Sequence, residues 1–287
     1  MKFLVGDLDG KRSVFAVRGD GAVDLCAIDP RVGQDLMALI RDDGLRASVL
    51  ERAAQAETVP VDRIAPALPL ADPGKIMCLG LNYADHAKEA GMEVPDYPTV
   101  FMRSRTSLVP SGTPFVRPAC SDALDYEAEL MIVIGRGGRH IAEEDALGHV
   151  FGYTTFNDAT LRDFQNKTQQ WTPGKNFDAT GAVGPYVVSA DALPAGASGL
   201  AISCRVNGET LQSSNTDEMI CPVARTVAIL SEFTTLEPGD LIATGTPSGV
   251  GMAHRPEPRW LRPGDHVEVE IERIGTCVNP VIAEGTG

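Results

Sequence analysis

The sequence predicts an α+β protein dominated by β structure, and three observations carry that prediction. Short β-type runs recur along most of the chain, and most are closed by Gly or Pro. Helical patterns are few and short. No regular alternation of strand and helix exists, which argues against a Rossmann fold or a TIM barrel. With 287 residues, 43% of them hydrophobic, the chain has enough apolar material for a sizeable core.

Taken in order, residues 1–28 hold the β-type runs KFLVG, SVFAV and AVDLCAI, separated by Gly-Asp turn signals. Helical patterns follow at 35–41 and 45–56, with Asp42-Asp43-Gly44 as the loop between them. The stretch TVPVDRIAPALPLADPG carries four prolines in residues 57–74 and reads as a boundary. It divides the chain into a small N-terminal α+β domain (1–70) and a larger one (71–287). The larger part contains KIMCLGL, TVFMR, ELMIVIG, FGYTTFN, AISCRVNGETLQ, GDLIATG and HVEVEIERI. Asn207-Gly208 is a hairpin turn signal. Val267, Val269 and Ile271 alternate with polar neighbours, as in a strand with one wet face. Helical patterns fall at 83–90, 143–150, 159–168 and 223–233.

Charge and cysteine usage narrow the function classes. The formal net charge is −14, so phosphate backbones and anionic lipid surfaces are repelled. Neither nucleic acid nor membrane is expected as a partner. The N-terminus MKFLVGDLDGKRS lacks the pattern of a signal or transit peptide, and no run of about 18 apolar residues occurs. Six scattered cysteines without a C-x-x-C pair read as free thiols. Together these features lead us to expect a cytoplasmic protein.

The stretch DALDYEAELMIVIG is the most informative. As a strand it puts Glu127 and Glu129 on one face, roughly 7 Å apart by a two-residue rise. The apolar run after them implies burial, where two carboxylates repel and lose hydration. One is then protonated, or a cation sits between them; oxygen-only ligands favour Mg²⁺, Mn²⁺ or Ca²⁺ over zinc. A solvated strand edge fits the same pattern. Asp158 in FNDATLRDFQ offers a third carboxylate, or a helix N-cap. Arg162 and Gln165, three apart on a helical pattern, form either a grip for a carboxylate or a solvated face. His86 and Glu89 are likewise three apart. A Glu that accepts from one imidazole nitrogen leaves the other free to deprotonate water, although an exposed pair of this kind is often without function. His140, His149, His254 and His266 have no such partner and read as surface residues. GDLIATGTPSGVG lacks the Gly-Lys-Ser/Thr ending of a P-loop, and Pro247 removes one N–H, so nucleotide binding is rejected. A tight turn presenting Thr246 to a pocket remains.

In this order, IMCLGLNYADHAKEA, DYEAELMIVIGR, GYTTFNDATLRDFQ, WTPGKNFDATGAVGP, RVNGETLQSSNT and LEPGDLIATGTPSGVG resemble the fumarylacetoacetate hydrolase family. The resemblance covers about residues 75–281 and is specific as a combination. It implies a mixed β-sandwich roll, a homodimer, and a divalent metal, Mg²⁺ or Mn²⁺. Position by position it implies Glu127, Glu129 and Asp158 as metal ligands and His86 with Glu89 as the water-activating pair. It places Lys175 on the substrate's oxo or enolate oxygen, and Arg162, Gln165 and Thr246 along the substrate pocket. Many relatives read F-x-K-P where this chain has Phe101-Met102-Arg103-Ser104. Arg103 keeps the charge in a planar fork, so the substrate's carboxylate is expected to be held differently.

The resemblance implies hydrolysis of a 2,4-dioxo acid, such as an acylpyruvate, to pyruvate and a carboxylic acid. The substrate is thus a small anionic 2-oxo acid, drawn to an acidic chain by a local dication. Two alternatives stand beside this reading. One is decarboxylation or isomerisation of a 2-oxo acid through the same enolate chemistry. The other is a metal- and ligand-binding protein without turnover. The segment QNKTQQWTPGKNF is expected to shape the acyl end of the pocket, and the segment around 83–98 to close over substrate.

Overall fold

A computed structural model of the chain describes residues 1–89, 91 and 97–285. Lys2–Leu8 (β1), Lys11–Arg18 (β2) and Gly21–Asp24 (β3) form an antiparallel meander. The strand expected over AVDLCAI stops at Asp24. Its carboxylate accepts from the amides of Cys26 and Ala27 and caps a short helix, Leu25–Ile28 (α1). Met37–Arg41 (α2) and Asp43–Ala53 (α3) follow. The expected loop at 42–44 is instead a cap and a first turn, because Asp42 accepts from the amide of Leu45. The proline-rich stretch runs along the sheet, with Val59–Pro60 pairing β3 and Ala65–Pro66 pairing β1.

The larger part begins with Ile76–Gly80 (β4), Thr99–Met102 (β5), Phe115–Arg117 (β6), Ala128–Ile134 (β7) and Val150–Asn157 (β8). It continues with Tyr186–Ser189 (β9), Ala201–Val206 (β10), Glu209–Asn215 (β11), Leu241–Ala243 (β12), His266–Ile271 (β13) and Gly275–Ala283 (β14). Helices Ala84–Glu89 (α4), Arg162–Gln165 (α5), Thr172–Lys175 (α6) and Val223–Phe233 (α7) connect them. Among the described residues the main sheet runs β3-β2-β1-β9-β8-β7-β12-β4-β5. Residues Lys2, Phe3 and Leu4 of β1 pair Val188, Val187 and Tyr186 of β9, so the N-terminal segment shares this sheet. A second sheet runs β11-β10-β13-β14-β6. No helix among the described residues is long and apolar enough to cross a membrane. The protein is α+β and mostly β.

Strand β7 shows why its sequence is apolar throughout. Leu130, Ile132 and Ile134 enter the core between the two sheets and α7, while Met131 and Val133 enter a second core beneath the N-terminal helices. Every residue of β7 is buried. Two sequence readings change here. The pattern at 159–168 yields a two-residue strand, Thr160–Leu161, before α5 begins. The pattern at 143–150 yields only the 3₁₀ turn Ala146–His149. At the β10–β11 turn, Asn207 and Gly208 both have positive φ, 53° and 82°, as an Asn-Gly hairpin requires.

Ile132 is fully buried between the sheets. Ile132→Ala should therefore lower unfolding free energy by about 2–5 kcal/mol in urea titration. A loss below about 1 kcal/mol would contradict a close-packed layer at this position.

Candidate metal centre and adjoining cavity

The end of β7 and the end of β8 build the centre. Ala128 pairs Asn157, the amide of Glu127 donates to Asn157 Oδ1 (3.0 Å), and the amide of Asp158 donates to the carbonyl of Glu127 (3.0 Å). This register sets Asp158 beside Glu127, with Glu129 two residues along the same strand face. One carboxylate oxygen from each of Glu127, Glu129 and Asp158 lies within 4.8 Å of the others, and all three residues are buried. Asp158 caps no helix: the N-cap position of α5 is Leu161.

Three cations are buried against these acids. Lys175 Nζ donates to Glu127 Oε2 and to Asp158 Oδ2, both at 2.6 Å. Arg162 Nη2 stands 2.7 Å from Glu127 Oε1, yet it makes no directed hydrogen bond there. Its Nε donates to Asp125 Oδ2 (2.7 Å), and its Nη1 donates to Gln165 Oε1 (3.0 Å). Arg103 donates to Asp158 Oδ1, to Ser107 Oγ (3.1 Å), to Thr180 Oγ1 (3.0 Å) and to the carbonyl of Ala159 (3.3 Å). Its planar fork is filled by these partners and it lines no part of the cavity below. The structure therefore gives Arg103 a place behind Asp158 rather than on a substrate carboxylate.

Glu129 stands apart. Its carboxylate receives the amide of Gly245 (2.9 Å) and, among the described residues, no cationic side chain. Gly245 has φ +91°, and a Cβ there would meet Asn82 Cβ at 2.9 Å, so only glycine brings this N–H to the acid. Burial, then the Asp158 and Glu127 carboxylates, hold the Glu129 carboxyl well above its ordinary range. Glu127 goes the other way. Burial would raise it, but Lys175 and Arg162 together outweigh burial and hold it low. Lys175 pairs directly with two of the acids, and among the described residues no cation pairs directly with the third. Three converging carboxylates with this deficit fit a divalent cation.

A small cavity opens on the cluster. Glu127, Glu129, Arg162, Gln165, Lys175, Thr246 and His86 line its polar side; Phe101 and Trp171 line its apolar side. Trp171 comes from the segment expected to shape the acyl end. His86 is buried, and among the described residues its Nδ1 has no hydrogen-bond partner. Glu89 Oε2 lies 3.5 Å from that nitrogen, within ion-pair reach but beyond a hydrogen bond. The Glu89 carboxylate accepts instead from the amide of Gly249 (3.0 and 3.1 Å). Asp85 Oδ2 accepts from Ser248 Oγ (2.6 Å), so both acids pin α4 to the glycine-rich loop. Of the segment expected to close over substrate, Ala90 and residues 92–96 lie outside the described residues.

The sequence reading missed Asp125 and Gln212. Asp125 is fully buried and accepts from the amides of Gly251 (2.7 Å) and Met252 (3.0 Å) as well as from Arg162. It thereby ties the glycine-rich loop to the cavity's arginine. The available signal was its place two residues before Glu127, in step with the other two acids. Of the histidines read as surface residues, His254 Nε2 reaches the Tyr126 hydroxyl (3.2 Å).

The family described as fumarylacetoacetate (FAA) hydrolase C-terminal matches residues 75–282. The mitochondrial oxaloacetate tautomerase Fahd2a of Rattus norvegicus is 39% identical over 267 residues, covering 92% of this chain and 85% of its own. Fumarylacetoacetate hydrolase from psychrophilic Exiguobacterium antarcticum superposes with a TM-score of 0.86 at 34% identity, covering 99% of this chain and 100% of that one. Maleylpyruvate hydrolase from Sphingobium sp. SYK-6, in complex with manganese(II) and pyruvate, superposes at 0.81 with 29% identity, covering 99% of each chain. The chain belongs to the fumarylacetoacetate hydrolase family.

Proposed function

We propose that this protein moves protons on a small 2-oxo acid, interconverting the oxo and enol forms of an oxaloacetate-type substrate. The observation that carries the reading is one small cavity with a cation-deficient carboxylate cluster at one end and His86 and Lys175 in its walls. The 39% identity to an oxaloacetate tautomerase supports tautomerisation ahead of hydrolysis.

Glu127, Glu129 and Asp158 would hold Mg²⁺ or Mn²⁺, which neutralises the substrate's anionic end and polarises its 2-oxo group. Arg162 lines the cavity with Gln165 beside it and binds a substrate carboxylate. Thr246 lines the same cavity. Burial pulls the Lys175 ammonium down, but Asp158 and Glu127 outweigh that, so it stays charged. It stabilises negative charge as it develops on the 2-oxo oxygen. His86 takes a proton from the adjacent carbon and returns it at oxygen; Glu89, 3.5 Å away, supports the charged ring.

Hydrolysis of an acylpyruvate is the second reading, favoured by the His86–Glu89 pair and by the likeness to maleylpyruvate hydrolase. There His86 deprotonates a water that attacks the distal carbonyl, and the carbon–carbon bond breaks to give a carboxylic acid and pyruvate. Decarboxylation of oxaloacetate would need no attacking water. Ligand binding without turnover is the outcome that overturns both enzymatic readings.

The test is a substrate panel of enol-oxaloacetate and several acylpyruvates, followed by loss of the enol or dioxo absorbance and by pyruvate release. Oxaloacetate tautomerisation should be the fastest reaction, and acylpyruvate turnover exceeding it would install hydrolysis in its place. A chelator should abolish activity and Mg²⁺ or Mn²⁺ restore it; full activity in metal-free protein would refute the role given to the three acids.

His86→Ala should cost roughly 10²–10⁴-fold in kcat/KM, the range for a positioned general base. Glu89→Gln should cost less, since the imidazole remains. An unchanged rate for His86→Ala would remove His86 from the mechanism while leaving the metal centre standing.

A further inference from the structure

Gln212 lies on β11, in the second sheet, and is almost fully buried against the glycine-rich loop. Its Oε1 accepts from the amide of Ala128 (2.9 Å), the residue between Glu127 and Glu129. Its Nε2 donates to the carbonyl of Pro247 (2.9 Å) and to Thr246 Oγ1 (2.8 Å). These neighbours permit one orientation of the amide. A backbone N–H only donates and a proline carbonyl only accepts, so exchanging oxygen and nitrogen would leave two clashes. Both Nε2 hydrogens are therefore engaged, one of them on Thr246.

A hydroxyl that accepts from Nε2 cannot return its own hydrogen to the same atom. Among the described residues Thr246 Oγ1 has no other hydrogen-bond partner, and Thr246 is buried in the cavity wall. We infer that Gln212 is a positioning residue that turns the Thr246 hydroxyl into a fixed donor toward the cavity. The ligand atom it meets must then be an acceptor oxygen, a carboxylate or a 2-oxo oxygen. The amide that sets this direction also rests on the strand carrying the carboxylates. Donor and metal centre thus share one frame. This inference rests on the reading above that Thr246 faces substrate.

Three variants test it. Gln212→Glu puts an acceptor where Nε2 stands and draws the Thr246 hydrogen away from the cavity. Gln212→Met removes the donor without replacing it. Thr246→Val removes the hydroxyl at nearly constant shape. The measurements are calorimetric Kd for pyruvate with Mg²⁺-loaded protein, and Kd for Mg²⁺ itself. Gln212→Glu and Thr246→Val should each weaken pyruvate by about tenfold or more, as for a hydrogen bond to a charged group, and Gln212→Met by less. In the Thr246→Val background Gln212→Met should add almost nothing, and Mg²⁺ affinity should stay within about twofold in these neutral variants. Losses that multiply in that double variant, or that track a loss of Mg²⁺ affinity, overturn the positioning role. A wild-type protein that binds no pyruvate yet tautomerises oxaloacetate overturns this inference alone; one that does neither overturns the proposed function as well.

Discussion

Asp125, Glu127, Glu129 and Asp158 are buried in one cluster, and among the described residues the buried basic side chains set against them are Arg103, Arg162 and Lys175. Burying a charge is tolerable only when an opposite charge and good hydrogen bonds come with it. Three of the acids meet that condition. Asp125 has Arg162 and two loop amides, Glu127 has Lys175 and Arg162, and Asp158 has Arg103 and Lys175. Glu129 has one amide. The remaining architecture either creates this deficit or prepares a space in which a dication and an anionic ligand can relieve it.

The fold holds the deficit in place because β7 has no face to give up to solvent. Its even-numbered residues belong to one core and Met131 and Val133 to the other, so Glu129 cannot turn toward water without lifting a strand out of both. Gly245 and Gln212 then brace the glycine-rich loop against that strand through Glu129 and Ala128. Asp85 and Glu89 fasten α4 to the same loop, which brings His86 to the cavity. The loop rejected as a phosphate cradle acts as a bracket among the metal centre, the histidine helix and the substrate wall.

The sequence made some of this legible and hid the rest for physical reasons. Glu127 and Glu129 were readable because alternation along a strand is local, and the apolar run after them announced burial. Asp158 was ambiguous, because an acid at a strand end before a helical pattern suits a cap as well as a ligand. Only the β7–β8 register decides between them. The resemblance points Arg103 toward a substrate because relatives carry a lysine there, whereas the partners that fill its fork come from residues 107, 158, 159 and 180. Gln212 carried no signal at all: its role depends on Ala128 and Thr246, 84 and 34 residues away. Short-range errors had local causes, as at Asp24, where a side-chain cap ended a run that hydrophobicity alone would have continued. The pairing of β1 with β9 joins residues more than 180 apart, and no composition shift foretells it.

Glu129 is the acid that, among the described residues, no cation pairs with directly, and a divalent cation would satisfy it. The melting temperatures of wild type and Glu129→Gln, each measured in chelator and in excess Mg²⁺, test this. A ligand bound by the folded state alone raises Tm by mass action. Wild type should therefore rise with Mg²⁺. Glu129→Gln should match or exceed wild type in chelator, since the amide still accepts from Gly245 without adding a charge, and should gain little from Mg²⁺. A variant that melts well below wild type in chelator yet gains the full Mg²⁺ increment would contradict the account.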